Sequence, residues 1–301
     1  MSGVTQNFGL ARVTPSRRVA FSTSLLVLIY TMTDRLPEEL LREILSHALL
    51  VFPVDFLGFP GDRWSPRLPP RRHSQLLLVS KRWNRVGTPL LYESLDVSGF
   101  EQTANIANVL RARPALGRAV RCLRLAERFG KDLVHIAKHT PNVHSLYINL
   151  RVIGPGDPVS GVPKALPRWN PVNLYIVEQN FRDNASSVKA RKSLYAHIAE
   201  TWTALRTLAL SDFSAYQITK DTLGETLIKS TVEEFNCDSC DVRQYLIKEG
   251  NMEKILKNSR IQRVVCRGLR DEEDIRKQLE DHGLAAEARK FSFVHSATRD
   301  N

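Results

Sequence analysis

Cys237-Asp-Ser-Cys240 has the spacing of a dithiol redox pair, two cysteines separated by two residues after a strand-like run and ahead of a helical one. Cys237 equally completes the apolar pattern of Val232-Glu-Glu-Phe-Asn-Cys237, so the same residue also reads as part of a buried strand. One Cys-x-x-Cys supplies only half of the four ligands that a structural zinc site needs. His135 and His139 stand four apart on a helical stretch, with His144 beyond them. A hydrolytic zinc site would place a glutamate beside the first histidine, and Ile136 and Ala137 stand there instead. No Gly-x-x-x-x-Gly-Lys-Ser/Thr loop, Gly-x-Ser-x-Gly elbow or dinucleotide fingerprint occurs, and Gly154-Pro-Gly-Asp-Pro158 reads as a turn. These residues name no catalytic group, no metal and no cofactor, and the expectation is a chain that binds rather than converts.

The elements that would carry a binding surface recur along the chain. Strand-like runs begin at Cys122, Val143, Val172, Leu205, Val232, Ile261 and Lys290. Taking Leu123, Leu146, Leu174, Leu208, Phe235, Val264 and Phe291 as equivalent points, the steps are 23, 28, 34, 27, 29 and 27 residues. Helical runs fall between them: residues 132–138; Leu194, Ile198 and Trp202 on one face; Val242, Tyr245 and Leu246 leading to Ile255 and Leu256; and residues 271–283, with acids at the start and Gly283 at the end. Gly154 to Trp169, with four prolines, reads as an interruption. A strand and a helix repeated at this pitch predict a curved α/β array, with a compact three-layer α/β domain as the alternative.

Upstream of the repeats, Leu36-Pro37 opens an amphipathic segment. Pro37 suits a first helical turn, Glu38 and Glu39 complement the helix dipole, and Leu40, Leu41, Ile44, Leu45, Ala48 and Leu49 make a broad apolar stripe. Alone, that stripe reads equally as ordinary core. A second half follows in Ser74-Gln-Leu-Leu-Leu-Val-Ser-Lys-Arg-Trp83, with Ser74 as the expected helix cap, a helix end before Thr88-Pro89, and Pro89-Leu-Leu-Tyr92 leading to a short strand. Residues 50–73, rich in proline, read as an exposed loop between the halves.

The Leu-Pro step, the apolar helix positions, Val79-Ser-Lys-Arg-Trp83 and the Pro-Leu-Leu-Tyr exit together resemble the F-box family, and the proline-rich insertion is similar to that of basidiomycete-type fungal F-box proteins. Fragments at 109–117 and 201–208 resemble the degenerate leucine-rich repeats found downstream of F-boxes. The resemblance implies a leader at 1–31, an F-box at 32–98 and a leucine-rich-repeat-like α/β solenoid at 99–301. It also implies a non-catalytic substrate receptor of a Skp/cullin/F-box ubiquitin ligase. Leu36, Pro37, Leu40, Leu41, Ile44, Leu45, Leu78, Val79 and Trp83 would meet the Skp-type adaptor, which brings a cullin, and the repeats would hold a protein substrate. A non-ligase F-box scaffold and a basic nucleic-acid-associated repeat protein are the alternatives.

The net charge of +11 bears on the last of these. Residues 1–31 hold three arginines and no acid, residues 32–98 hold nine basic and eight acidic side chains, and most of the excess, +7, lies beyond residue 98. No run of five basic residues occurs and aromatics do not interleave with the cations, so the charge fits an acidic protein partner better than a stacked nucleic acid. Four unevenly spaced cysteines point to a reducing compartment, cytoplasmic or nuclear. Residues 21–30 are too few for a bilayer span. The arginine- and serine-bearing leader reads as a disordered extension ahead of Met32 or as a mitochondrial presequence.

Overall fold

The structure, a computed structural model, describes residues 36–49, 71–127, 130–150, 159–177, 185–211, 217–238, 251–267 and 272–294. It opens with α1 (Glu38–Leu49), a 3-10 helix (Arg71–Leu78) and α2 (Lys81–Glu93). Strand β1 (Ser94–Ser98) follows directly, then α3 (Phe100–Ala112), α4 (Pro114–Ala119), β2 (Cys122–Glu127), α5 (Leu133–His139) and β3 (Ser145–Asn149). Next come a short α6 (Val162–Ala165), β4 (Asn173–Val177), α7 (Ala185–Glu200), β5 (Thr207–Ser211), α8 (Gln217–Lys229) and β6 (Glu234–Asp238). The described chain closes with α9 (Asn251–Asn258), β7 (Arg263–Arg267), α10 (Glu272–Asp281), a 3-10 turn and β8 (Phe291–Val294). No helix among the described residues is long and apolar enough to cross a membrane.

The protein is α/β, built on one sheet of eight parallel strands in the order β1 to β8, each beside its sequence neighbours. Parallel neighbours need a crossover connection, and crossovers share one hand, so a sequential order returns the chain on the same side of the sheet each time. The core has that one-sided character. The inward strand positions share a single buried cluster with Leu110, Ile136, Leu194, Leu227, Ile255 and Leu279 of the helices. On the opposite face Cys122, Tyr147 and Val177, with Tyr175 against them, form a smaller cluster of strand residues alone.

The register is the clearest regularity. Leu95, Leu123, Leu146, Leu174, Leu208, Phe235, Val264 and Phe291 are partners across all eight strands. The seven equivalent points read from the sequence are seven members of this row. Just ahead of the strands, one carbonyl per unit accepts two successive N–H groups of the next unit. Arg121 accepts from His144 (2.7 Å) and Ser145 (3.0 Å), His144 from Val172 (2.8 Å) and Asn173 (3.0 Å), and Val172 from Arg206 (2.8 Å) and Thr207 (3.1 Å). Arg206 and Glu233 repeat the motif.

Several local expectations change. The cap of α2 is Ser80, whose hydroxyl accepts from Trp83 N at 3.2 Å, because Ser74 lies inside the 3-10 helix. Helix α2 does not stop before Pro89 but runs through it to Glu93. The ring removes one ladder bond, and nearby Thr88 Oγ1 donates to the Asn84 carbonyl at 2.6 Å, so the turn stays tied. The proline-rich stretch before Trp169 is not an interruption where it is described. Pro163 and Pro167 occupy the first turns of two short helices, and Val159, Val162, Leu166 and Trp169 are buried beneath the sheet. Trp169 Nε1 donates to Thr140 Oγ1 at 3.2 Å, joining this insert to the end of α5. Helix α10 ends as the sequence indicated. Gly283 takes φ +71°, Leu284 N reaches the Leu279 carbonyl at 2.7 Å, and Gly283 N reaches Glu280 at 2.9 Å.

Leu174 sits in the middle of the leucine row and is fully buried. Leu174→Ala is expected to lower unfolding free energy by about 2–5 kcal/mol in a urea titration, since neighbours held by both adjacent ladders have little freedom to close the cavity.

Candidate functional site

The N-terminal helices have a core of their own. Leu41, Leu45 and Leu49 of α1 meet Leu77 and Leu90, with Leu76, Trp83, Val86 and Leu91 packed around them. Gly87 permits the close crossing: a Cβ there would stand 2.5 Å from Leu77 Cδ2 and 3.1 Å from Leu49 Cδ1. The Arg82 guanidinium donates to the Leu36 carbonyl, and Arg85 pairs with Glu38 through two contacts, one of them 3.3 Å. A groove of about 270 Å³ between α1 and α2, lined by Glu38, Glu39, Arg42, Arg85, Val86 and Pro89, is charged and smaller than usual small-molecule sites.

This packing divides the nine predicted docking residues. Leu41 and Leu45 are completely buried inside the unit and offer no surface to a partner. That corrects their expected role as contacts, for a physical reason: α1 carries two adjacent apolar rows, and the Leu77–Gly87 crossing consumes one. The other row stays outside. Leu40 is 53% and Ile44 50% exposed, Leu78 is 81% exposed, and Pro37 is exposed beside them in sequence. Leu36, Val79 and Trp83 are half-buried, and Trp83 Nε1 finds no acceptor among the described residues. Leu40, Ile44 and Leu78 are therefore large apolar side chains exposed on a unit that has a core of its own.

The second surface is the sheet face turned away from the helices, where the side chains differ from strand to strand. Its first row runs Ser94, Cys122, Ser145, Asn173, Thr207, Glu234 and Arg263. Asn173 Nδ2 donates to Ser145 Oγ at 3.0 Å, and Arg263 reaches Ser292 Oγ at 3.2 Å and Glu234 at 3.4 Å. In the next row the Arg124 guanidinium lies 4.9 Å from the Tyr147 ring centre and 4.0 Å from Asp96. Most of these two rows is nevertheless covered: Cys122, Arg124, Ser145, Tyr147, Ala209, Asn236 and Val265 are buried, and Arg263 is their exposed member. Sequence reading did not identify these residues, although alternation with the leucine row marks each of them as outward-facing.

The groups with possible covalent chemistry are not assembled. Burial pushes the Cys122 thiol up, with the Ser94 and Ser145 hydroxyls opposing that rise and Glu93 adding to it, so the thiolate needed for attack is disfavoured. Cys237 and Cys266 are buried register partners on β6 and β7, and Cys240 lies outside the described residues. His135 and His144 are exposed and His139 half-buried, and no group of three metal-binding side chains occurs among the described residues. No protein-family model matches the chain, and no curated protein matches it.

Two histidines give the protein a pH response. His197 is lowered from 6.5 by burial, its ring stacked 6.0 Å from Trp202. His139 is lowered from 6.5 by burial and then by Lys138, Arg111 and His135. A depressed histidine binds its proton more tightly in the unfolded chain, so its contribution is intact above pH 6.5 and is lost as pH falls through the folded value. Urea midpoints are expected to fall between pH 7 and 5, and His197→Gln to flatten that slope. A slope unchanged by the substitution would assign the response elsewhere.

Proposed function

We propose that this chain is the substrate receptor of a Skp/cullin/F-box ubiquitin ligase, with α1, the 3-10 helix and α2 as a split F-box. The exposed apolar row of Pro37, Leu40 and Ile44, joined by Leu78 on a unit with its own filled core, is the observation that carries this reading. Such a row supplies what stable docking on a Skp-type adaptor needs, a few large apolar side chains at the centre of an interface. The ordered row of leucines and the sequential parallel strands support a leucine-rich-repeat-like solenoid, and this repeat domain would hold a protein substrate. No covalent step is assigned to the chain. It would act by holding the substrate near the conjugating partner and raising its effective concentration there.

Co-purification with the Skp-type adaptor tests the proposal. Wild type should retain the adaptor, while Leu40→Asp/Ile44→Asp should weaken binding at least about thirtyfold, the effect of losing a hot spot of roughly 2 kcal/mol. Leu41→Ala should instead lower the unfolding free energy, since that side chain is interior. A wild-type chain that does not retain the adaptor sinks the receptor reading. A complex that contains the adaptor and never a cullin would make the chain a non-ligase scaffold.

A further inference from the structure

Helix ends and strand starts of the first three units bring a set of cations together. Arg111 and Arg113 close α3, Arg118 closes α4, Arg121 precedes β2 and Lys138 lies in the last turn of α5, and all five are exposed. Their proximity is set by backbone contacts. A Cβ on Gly117 would stand 2.2 Å from the His139 carbonyl, Asn142 Nδ2 donates to the Arg118 carbonyl at 2.8 Å, and the Arg121 carbonyl accepts from His144 N at 2.7 Å. His139 registers Lys138, Arg111 and His135 as nearby positive charges. No ion pair forms between these five and a carboxylate among the described residues. Among the described residues Arg111 donates to the Asn108 side chain, at 3.0 Å.

Cations at helix C-termini also serve the helix dipole, and that ordinary role accounts for part of the cluster. Each helix end carries about half a negative charge, so three ends offset roughly one and a half of the five cations. Glu93 is the acid near the start of β2. A clear positive surplus is left.

The surroundings say what kind of molecule it fits. Val109 is 38% exposed one turn before Arg113, and Ala112, Pro114 and Ala115 are exposed between the arginines. Arginine mixed with exposed small apolar side chains is a composition that protein interfaces carry. Single-stranded nucleic acid would want aromatic rings to stack on. The large apolar side chains exposed among the described residues include only one aromatic, Phe100, which stands at the opposite end of α3.

We infer that the face formed by the ends of α3, α4 and α5 docks an acidic segment of a protein partner, with Arg111, Arg113, Arg118, Arg121 and Lys138 pairing its carboxylates. This inference does not rest on adaptor docking, since the face lies outside the exposed row of α1 and is tested without the adaptor. Arginine forks hold carboxylates in pairs, and several such contacts on a rigid surface add where isolated surface pairs contribute little.

Fluorescence anisotropy of the full chain with a labelled twelve-residue Glu/Asp-rich peptide containing one leucine tests it. A Gln/Asn counterpart and a twelve-nucleotide single-stranded RNA serve as comparison probes. The acidic peptide should bind, and its affinity should fall at least about tenfold in Arg113→Glu/Arg118→Glu and again in Arg111→Glu/Lys138→Glu. Lys189→Glu/Lys192→Glu on α7, which makes the same change of net charge on exposed residues, should cost less than about twofold. Unaltered thermal unfolding of either mutant pair is enough to read the result. Absence of peptide binding, equal loss in the α7 control, or RNA binding more tightly and failing in the same variants would overturn the inference.

Discussion

The constraint on which this molecule rests is register. Each strand is parallel to its neighbours in sequence, and a one-residue slip would turn the leucine row onto the opposite face and the polar row into the core. The double hydrogen bond to one carbonyl per unit fixes that register before the strand begins. Arg121, His144, Val172, Arg206 and Glu233 each bind two successive amides of the following unit, so the phase of each strand is inherited from the one before it. The side chains at these positions have nothing chemical in common, because the ladder is made by the backbone alone. The sequence is therefore free to vary there, and the arginines at 121 and 206 can serve surface functions.

Legibility follows from the same physics. Positions such as Leu146 and Leu174 could be read as equivalent because an inward strand site accepts only a large apolar residue, and that demand recurs once per unit. Helix α8 escaped notice because the buried apolar positions among its described side chains are Leu223 and Leu227, with Thr226 buried beside them. Helix α3 is similar, with Thr103, Ala107 and Leu110 as its buried positions, small or polar residues that give no strong period. Pro89 was misleading in the opposite way. Proline removes one ladder bond, and a helix pinned on both sides by Leu90 in one core and Tyr92 against another keeps its geometry across that loss.

For the N-terminal apolar stripe, the sequence indicated an amphipathic helix but could not divide its two rows. Residues 40, 41, 44 and 45 are all aliphatic, and helical periodicity alone places them on one wide stripe. The decision between core and surface is made forty residues later. Gly87 and Leu77 let α2 approach on the side of Leu41 and Leu45, which leaves Leu40 and Ile44 outside. The residues on the opposite sheet face illustrate the complementary limit. Alternation tells which way Arg124 or Asn236 points, while the contacts that give each one chemistry, such as Tyr147 under Arg124, come from neighbours 20 or more residues away.

Helix α2 is where the two halves of the molecule become one mechanical object. Its Leu90 is buried in the core of the N-terminal helices, its Tyr92 packs against the core of the sheet, and Ser94, the first residue of β1, follows its last residue with no linker. The Glu93 carbonyl also accepts from Arg121 N at 2.8 Å, so the end of the helix is the first rung of the carbonyl ladder. A hinge needs residues whose backbone angles can change without breaking packed contacts, and none is available between Leu90 and Leu95, where each step is held by a side chain in a core or by a strand bond. The N-terminal helices and the sheet are thus joined by packed or hydrogen-bonded residues at every step from Leu90 to Leu95 rather than by a linker.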